Sequence, residues 1–235
     1  MHNKAAIITG ASTGIGKYVS IELSKREYTV ILISRNKQKL QSVKNIIDEL
    51  GNNCLIIESD ISKESSIEYI FSQLNSYNNI DILINNAGLG IFNKIENTTY
   101  SDWDNQINTN LKGSFMMTKN IVPMMIKNND GKIVFINSIA GLKPYPYSSA
   151  YVASKYGLRG FSSSIREELR EHNIKVISIH PGAVDTPFWD KIKGDFPREK
   201  MLSSKDIAIS IVNAILSPNN LVQEEIVIRT TAGDL

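Results

Sequence analysis

A tyrosine and a lysine four residues apart form the first pair in this sequence that could do acid–base chemistry. Of the nine tyrosines, only Tyr151 has a lysine four residues on, at Lys155. The surrounding segment has helical spacing, so the two side chains share one helix face. A phenol has an ordinary pKa near ~10, and a neighbouring ammonium group stabilises the phenolate and lowers that pKa. The pair could therefore exchange a proton with a substrate, although a surface Tyr–Lys pair without function has the same spacing.

Ser138 is the hydroxyl residue best placed to act with that pair. It directly follows an apolar segment, residues 132–137, that we predict to be a strand. Ligands bind at the carboxyl ends of parallel strands, and a hydroxyl there can hydrogen-bond an oxygen that gains charge as hydride arrives. Counted together with Ser138, the glycine turn described next and the order of the strands, the Tyr151–Lys155 pair favours an acid–base site over an ordinary surface pair.

Three glycines lie where the first predicted strand gives way to the first predicted helix, in the segment TGASTGIG of residues 9–16. Gly10, Gly14 and Gly16 would let the chain turn sharply and let a pyrophosphate approach the backbone. The first turn of the helix offers unpaired N–H groups and the positive end of its dipole to that anion. The G-x-x-x-G-x-G spacing favours a dinucleotide site, although it differs from the common G-x-G-x-x-G form.

Two other functions compete for the same segment. Residues 10–17 are close to a phosphate-binding loop, but the spacing is off by one and Tyr18 replaces the required Ser or Thr. Residues 10–14 also match G-x-S-x-G, the nucleophile elbow of α/β-hydrolases, with Ser12 as the nucleophile. Only nine residues precede Gly10, which leaves no room for the strands and oxyanion loop that a hydrolase places upstream.

The end of the second predicted strand, residues 29–34, indicates which dinucleotide is preferred. Dinucleotide folds contact the adenosine ribose about 20 residues after the glycine turn, where a carboxylate favours NAD(H) and an arginine favours the 2′-phosphate of NADP(H). Ser34 and Arg35 lie at this position, and no carboxylate does. We predict that NADP(H) is preferred and that NAD(H) can also bind.

Short apolar segments alternate with segments of helical spacing along the chain. The apolar ones are rich in Ile and Val and mostly lack strict alternation, which is typical of strands covered on both faces. The predicted strands are residues 5–9, 29–34, 54–58, 80–85, 132–137, 175–180 and 225–229. The predicted helices are residues 15–25, 36–50, 63–74, 101–127 with Ser101 as its N-cap, 148–171, and a last one that begins at 203 or 204 and stops before Pro218.

This order predicts one α/β domain over residues 1–235. We expect a Rossmann-type doubly wound parallel sheet of about seven strands with helices on both faces. The segment 181–203 is the only long stretch with irregular spacing and many turn-forming residues. A loop of that length in a compact domain is more often functional than not, so we predict that it contacts the substrate.

The composition excludes several other classes of function. The chain carries 26 Lys and Arg against 24 Asp and Glu, a net charge of +2, so it offers no broad field for nucleic acid or an anionic membrane. One cysteine, Cys54, excludes an internal disulfide, and three histidines without an HExxH motif argue against a metal site. No apolar stretch reaches the length of a membrane span, and the beginning of the chain lacks a signal-peptide pattern. We expect a cytoplasmic protein that binds small molecules.

Taken in order, these motifs resemble those of the short-chain dehydrogenase/reductase family over essentially the whole chain. Residues 9–16 resemble the family's TGxxxGxG turn, residues 85–88 its NNAG segment and residues 181–187 its PGxxxT segment. Ser138 resembles the family's catalytic serine, and Tyr151 with Lys155 its YxxxK pair. No catalytic position departs from the family pattern.

The resemblance implies roles for further residues. Asn110 would hold a water that connects Lys155 to solvent, Asp60 would contact the adenine, and Thr186 would hold the nicotinamide carboxamide. The implied catalytic residues are Asn110, Ser138, Tyr151 and Lys155. The implied cofactor-binding residues are Gly10, Ser12, Thr13, Gly14, Ile15, Gly16, Ser34, Arg35, Asp60, Ile61, Asn86, Ala87, Gly88, Tyr151, Lys155, Pro181, Gly182, Val184 and Thr186.

The activity that the resemblance implies is hydride transfer between NADP(H) and a carbonyl or secondary alcohol, with Tyr151 as general acid or base. The predicted substrate-lining residues are Leu142, Tyr145, Tyr147, Phe188 and Trp189. This partly aromatic set favours an apolar or ring-bearing carbonyl. Two alternatives are a 3-oxoacyl-thioester reductase and a dinucleotide-binding regulator without turnover. Family members associate through two long helices, so we expect a homodimer or a homotetramer.

Overall fold

Seven parallel strands form the central sheet of the protein. The computed structural model describes residues 4–77, 79–192, 194 and 196–233. The strands are β1 (Ala5–Thr9), β2 (Thr29–Ser34), β3 (Cys54–Glu58), β4 (Ile82–Asn85), β5 (Gly131–Ile136), β6 (Ile174–Pro181), β7 (Val184–Asp185), β8 (Leu202–Ser203) and β9 (Glu225–Ile228). The order across the sheet is β3-β2-β1-β4-β5-β6-β9, and β7 pairs with β8 separately. This order confirms the predicted doubly wound fold.

Helices cover both faces of the sheet, as the alternating pattern predicts. They are α1 (Gly14–Ser24), α2 (Lys37–Glu49), α3 (Glu64–Ser72), α4 (Tyr100–Ile107), α5 (Gly113–Asn128), α6 (Ser149–Leu169) and α7 (Ser204–Ile215). On one face, α1, α2 and α7 bury residues such as Val19 and Ile211 against the strands. On the other face, α3, α5 and α6 bury residues such as Met117 and Leu158. Two apolar layers therefore hold the sheet rigidly between them.

The strand order reverses direction next to β1. Ile7 of β1 is in register with Ile31 of β2 on one side and with Leu83 of β4 on the other. The chain runs outward through β2 and β3 on one side and through β4, β5 and β6 on the other. At such a switch point the loops that leave the strands part and form a crevice at the carboxyl ends.

The predicted helix over residues 101–127 is wrong in its beginning and its continuity. Thr99, and not Ser101, is the N-cap of α4, because its side chain accepts a hydrogen bond from the Asp102 N–H while the Asp102 carboxylate accepts one from the Thr99 N–H. Between α4 and α5 the chain forms one turn of π-helix, Asn108–Lys112. Helical spacing alone does not reveal a π-turn, since the apolar pattern continues on either side.

The predicted irregular segment 181–203 contains short regular pieces. Its described part includes β7, β8 and the 3₁₀ turns Trp189–Lys191 and Arg198–Lys200. Residues 193 and 195 of this segment, like residues 1–3, 78, 234 and 235 of the predicted domain, lie outside the described residues. Across the described part of the chain, no helix combines the length and apolar character needed to cross a membrane.

Candidate active site and cofactor cleft

Ser138, Tyr151 and Lys155 come together at the carboxyl edge of the sheet. Ser138 lies two residues beyond the end of β5, in extended backbone with φ −167° and ψ 161°, and begins the 3₁₀ turn Ile139–Gly141. Tyr151 and Lys155 lie in the first two turns of α6, which packs against this turn and against β6. Ser138 and Lys155 are 17 positions apart in the sequence. The end of β5 and the start of α6 thus bring the three residues together.

Tyr151 is hydrogen-bonded to Ser138 and is half-buried. Burial raises the pKa of Tyr151 to about 12, and the hydrogen bond with the Ser138 side chain acts in the opposite direction. The Ser138 Oγ also accepts a hydrogen bond of 3.1 Å from the Ala140 N–H, which fixes its orientation. At neutral pH the phenol is therefore protonated and can donate a proton to an oxygen that lies against Ser138.

Lys155 is buried, with 4% of its surface exposed. Its Nζ donates a hydrogen bond of 2.9 Å to the Ile136 carbonyl and lies 5.7 Å from the centroid of the Tyr151 ring. Burial lowers the pKa of Lys155 to about 8. The predicted lowering of the Tyr151 pKa by Lys155 is the reverse of the direction found, because desolvation of the phenolate dominates and the opposing contribution comes from the Ser138 hydrogen bond.

Asn110 is fully buried in the π-turn and ties three parts of the site together. Its Oδ1 accepts from the Leu89 N–H at 2.8 Å, and its Nδ2 donates to the Leu89 carbonyl and to the Ser154 Oγ, both at 2.9 Å. Ser154 directly precedes Lys155, so Asn110 joins the loop after β4 to the catalytic face of α6. The predicted contact of Asn110 with a relay water stays a prediction.

The glycine turn forms a cradle that side chains would fill. Gly10 and Gly14 have φ of +64° and +54°, a region that favours glycine. A Cβ on Gly10 would lie 2.8 Å from the Ala87 Cα, and one on Gly14 would lie 2.9 Å from the Thr186 Cγ2. A Cβ on Gly16 would collide with the Asn86 side chain and the Gly10 carbonyl. The turn therefore packs directly against the segments after β4 and β6.

The first turn of α1 presents free donors to this cradle. Its N-cap, Thr13, makes no capping hydrogen bond with its side chain, and the first turn contains no acidic residue. Ile15, in the same turn, packs on the apolar layer beneath. Unpaired N–H groups at a helix start with glycines before it fit the pyrophosphate of a dinucleotide.

Ser12 contacts the end of β2 and no histidine of the described residues. Its Oγ lies 2.9 Å from the Ser34 Oγ at the end of β2. Among the described residues, neither histidine contacts it, since His180 bonds Ser138 and Ser178, and His172 lies beyond α6 beside Glu171. A nucleophile elbow needs a base in contact with the serine, so the hydrolase alternative has no support in this geometry.

Arg35 stands exposed over a shallow depression beside Ser34. This depression has a volume of about 500 Å³ and is lined by Arg35, Asn36, Lys37, Gln38, Gln41 and Glu58. Asp60, beyond β3, accepts hydrogen bonds from the N–H and the hydroxyl of Ser62, and Ile61 packs on Gly113. The predicted adenosine-binding residues thus lie around the ends of β2 and β3.

The remaining predicted cofactor residues follow β4 and β6. Asn86 donates to the carbonyls of Thr9 and Gly10, and the N–H groups of Asn86 and Ala87 both donate to the Thr9 Oγ1. Gly88 faces Asn110 and Lys155. Pro181 ends β6, the Gly182 N–H donates to the Ile228 carbonyl, and the Val184 carbonyl accepts from the Trp189 Nε1. Together with Thr186 beside Gly14, these segments follow the carboxyl ends of the strands between Arg35 and Lys155.

Aromatic rings enclose Tyr151 on the substrate side. The Phe92 and Phe188 ring centroids lie 5.6 Å and 5.7 Å from that of Tyr151, and 6.2 Å from each other. Phe188 was among the predicted lining residues, whereas Phe92 was missed because no motif or spacing marks it. Trp189 packs behind Phe188 and against Phe196, at 5.6 Å and 4.6 Å between centroids.

The other predicted lining residues lie farther along the same rim. Leu142 is half-buried at the end of the 3₁₀ turn. Tyr145 and Tyr147 line an apolar cavity of about 480 Å³ whose other walls are Asn93, Lys94, Ile95, Glu96, Pro144, Ser149 and Val152. The Asn93 N–H donates to the Tyr147 carbonyl at 2.8 Å, which joins the two loops around this cavity.

Comparison with known proteins agrees with this geometry. A family model described as short chain dehydrogenase matches residues 4–195. The chain belongs to the short-chain dehydrogenase family. As a member, it is an NAD(P)-dependent oxidoreductase.

Individual relatives of this short-chain dehydrogenase are similar over nearly its whole length. The sepiapterin reductase of Chlorobaculum tepidum is 35% identical over 97% of both chains. A metagenomic short-chain oxidoreductase solved in complex with NADP is 30% identical over 97% of both chains, with a TM-score of 0.86. The closed form of a serine dehydrogenase complexed with NADP⁺ is 31% identical, covers 95% of this chain and 94% of that chain, and has a TM-score of 0.88.

Proposed function

We propose that this short-chain dehydrogenase reduces an apolar or ring-bearing ketone or aldehyde with NADPH, with Tyr151 as the proton donor. The observation that carries the proposal is a protonated, desolvated phenol bonded to Ser138, with Lys155 beneath its ring. With a pKa of about 12, Tyr151 is protonated at neutral pH and can donate the proton that carbonyl reduction consumes.

The chain's own residues would divide the work as follows. The Ser138 hydroxyl binds the substrate oxygen and holds it within reach of the Tyr151 hydroxyl, which gives up its proton as negative charge develops. Lys155, which is largely protonated below its pKa of about 8, stabilises the phenolate that remains. Asn110 keeps the loop after β4 and the start of α6 at a fixed distance. The bound dinucleotide supplies the hydride.

Two features support NADP(H) over NAD(H). Arg35 and Lys37 line the depression next to the Ser12–Ser34 pair, where a 2′-phosphate would lie. The similar solved structures named above were determined with NADP or NADP⁺.

The aromatic wall supports a substrate with a flat or apolar group beside its carbonyl. Phe92, Phe188 and Tyr151 form a triangle of rings, and edge-on rings of this kind favour contact with another ring. Because the similar Chlorobaculum tepidum protein is a sepiapterin reductase, sepiapterin, a ring-bearing ketone, is the first substrate to test.

Exposed aromatic side chains on the helices beside the site support association into a homodimer or homotetramer. Trp103, Phe115 and Tyr156 are large hydrophobic residues that remain exposed on α4, α5 and α6. Large exposed apolar side chains on neighbouring elements favour a protein partner, and a second copy of the chain would bury them.

The proposal is tested by Tyr151→Phe with Tyr156→Phe as a matched control on the same helix. Tyr156 is 42% exposed, so loss of its hydroxyl leaves the site unchanged. We expect Tyr151→Phe to lower kcat by at least about a thousandfold while NADPH still quenches protein fluorescence with an unchanged Kd. Undiminished turnover by Tyr151→Phe would contradict the assigned role.

A substrate screen tests the proposed class. NADPH consumption is measured with sepiapterin, aryl ketones, aliphatic ketones, quinones and 3-oxoacyl thioesters. The highest kcat/KM is expected for a ring-bearing ketone. Activity confined to 3-oxoacyl thioesters would favour the acyl-carrier alternative, and tight NADPH binding without turnover on any substrate would favour a regulatory protein.

A further inference from the structure

His180 is a buried imidazole on the same face of the sheet as the catalytic helix. It lies near the end of β6 and has no exposed surface. Side chains alternate along a strand, and Val176 of β6 belongs to the layer under α6 whereas Ile177 and Ile179 belong to the opposite layer. His180 therefore lies in the layer that also holds Tyr151 and Lys155.

Both ring nitrogens of His180 have partners, and these determine where its proton is. The Nδ1 lies 3.1 Å from the backbone carbonyl of Ser138, and the Nε2 lies 3.0 Å from the Ser178 Oγ. A carbonyl can only accept, so the Nδ1 must carry the hydrogen. In the neutral ring the Nε2 then accepts a hydrogen bond from the Ser178 hydroxyl.

The Ser138 carbonyl accepts two hydrogen bonds, one of 2.9 Å from the Gly141 N–H of its own turn and one of 3.1 Å from the His180 ring on β6. β5 stops at Ile136, and Ser138 begins a 3₁₀ turn. The last backbone bond between the two strands joins the Asn137 N–H to the Ile179 carbonyl at 2.8 Å. The other bonds of Ser138 within the turn are local: its N–H donates to the Asn137 Oδ1, and its Oγ accepts from the Ala140 N–H. His180, 42 residues further along the chain, anchors the turn to the rigid strand β6.

We propose that His180 is a positioning residue for Ser138: through the Ser138 carbonyl it holds the hydroxyl at the place where the substrate oxygen binds. The inference rests on the proposed reductase function and adds to it a residue that touches neither substrate nor cofactor. A displacement of the Ser138 Oγ by a fraction of an ångström would weaken its hydrogen bond to the developing charge and leave ground-state binding unchanged.

The electrostatic surroundings keep the ring in the form that this role needs. Burial lowers the pKa of His180, and the cations Arg159 and Lys155 on α6 add to this effect. The bond to the Ser138 carbonyl and the Glu225 carboxylate on β9 act in the opposite direction. The ring therefore stays neutral at neutral pH and offers one fixed N–H donor at Nδ1.

The decisive test is a double-mutant cycle between His180→Phe and Ser138→Ala. His180→Phe keeps an aromatic ring and removes the donor, and we expect it to lower kcat about tenfold with KM and the NADPH Kd unchanged. His180→Asn is the conservative variant, because its amide nitrogen can occupy the position of Nδ1, and it should keep most of the activity. In the Ser138→Ala background, His180→Phe should change kcat less than about twofold, because the residue acts through Ser138.

A full additional loss in that background would overturn the inference, since a merely structural role is additive. If His180→Phe does not fold, Ser178→Ala replaces it in the cycle, because it frees the ring at Nε2 and should give a smaller loss that also disappears with Ser138→Ala.

Two measurements distinguish failure of this inference from failure of the proposed function. ¹⁵N chemical shifts of the ring should show the hydrogen on Nδ1, and amide exchange at Ala140 should accelerate in His180→Phe but not in His180→Asn. The ¹⁵N shifts and the amide exchange are both measured without substrate, so they test the anchoring of Ser138 even if the wild type reduces no carbonyl. A hydrogen on Nε2, or Ala140 exchange that His180→Phe leaves unchanged, would contradict the anchoring of Ser138.

Discussion

Arg35 illustrates how a single exposed charge can select a cofactor. Its guanidinium is free to rotate at the end of β2, and the depression beside it also contains Lys37 and one carboxylate, Glu58. An arginine can bind a phosphate through two parallel hydrogen bonds, whereas a ribose hydroxyl offers it little. The preference for NADP(H) therefore depends on this position more than on the glycine turn, which contacts a pyrophosphate common to both cofactors.

Substitution Arg35→Asp should reverse the preference. The carboxylate would accept a hydrogen bond from a ribose hydroxyl and repel a 2′-phosphate, so we expect the ratio of NADPH to NADH affinity to fall by at least about a hundredfold. Fluorescence titration with both cofactors measures the ratio. Lys39→Asp makes the same change in net charge on α2 but does not line the depression, and it should leave the ratio nearly unchanged. An unchanged ratio in Arg35→Asp would refute the assignment.

The residues of the site differ in how far the sequence predicts them. Ser138, Tyr151 and Lys155 are recognisable because their spacing and residue types have a chemical meaning. Phe92 and His180 carry no such signal: each contacts the catalytic residues only through the fold, across 59 and 42 positions respectively. The direction of the Tyr151 pKa was also beyond the sequence, since it depends on how far the phenol is buried.

Among the elements, the segment after β6 is held in place by one arginine. Arg198, in the 3₁₀ turn Arg198–Lys200, donates to the Asp185 carboxylate at 2.6 Å, to the Thr186 carbonyl at 2.8 Å and to the Asp190 carboxylate at 3.1 Å. Thr186 in turn packs against Gly14 of the glycine turn. The predicted nicotinamide end of the cleft is thus ordered by a contact from the far end of its own loop.

Loss of this contact should weaken cofactor binding. In Arg198→Gln the segment around Thr186 must be ordered by the dinucleotide itself, which costs binding energy, so we expect the Kd for NADPH to rise about fivefold. Arg198→Lys keeps the charge but cannot reach three acceptors, and it should give an intermediate value. Arg170→Gln is the matched control, because it removes an exposed arginine from carboxylate partners at the opposite edge of the sheet. A Kd for Arg198→Gln equal to that of the wild type would contradict this role.

The strands were predictable because each is a short, buried apolar run, and three of them, β1 to β3, begin and end at the predicted residues. The first residues of the helices were less predictable from the sequence. Thr99 and Ser101 are both acceptable N-caps by residue type, and only the reciprocal bonds with Asp102 decide between them. The π-turn at Asn110 depends on tertiary contacts with Leu89 and Ser154, which no local pattern encodes.

At the scale of the whole molecule, Lys155 places a charge in an interior that otherwise excludes unpaired ones. The other buried charged side chains in the described part of the chain have ionic partners: Glu22 pairs with Lys25 and Arg26, and Arg166 reaches Glu224. Lys155 has the Ile136 carbonyl as its hydrogen-bond acceptor and no carboxylate beside it among these residues. A buried, unpaired ammonium destabilises the native state, so Lys155 lowers the stability of the protein while it serves the proposed reaction.

Lys155→Met should therefore stabilise the protein at neutral pH while it abolishes turnover. A pKa lowered from 10.5 to about 8 corresponds to roughly 3 kcal/mol against folding with the charged lysine. The substitution also leaves the Ile136 carbonyl without its donor, at a cost of about 1 to 2 kcal/mol, so a net gain of about 1 kcal/mol is expected at pH 7.

The gain should depend on pH. Because the pKa of Lys155 is lower in the folded state than in the unfolded state, the unfolded state binds more protons between pH 8 and 10.5. The stability of the wild type therefore rises with pH through that window relative to the variant. Urea unfolding at pH 7, 9 and 10 should show the advantage of Lys155→Met shrink and then reverse, and a difference that does not vary with pH would show that the charge of Lys155 does not limit stability.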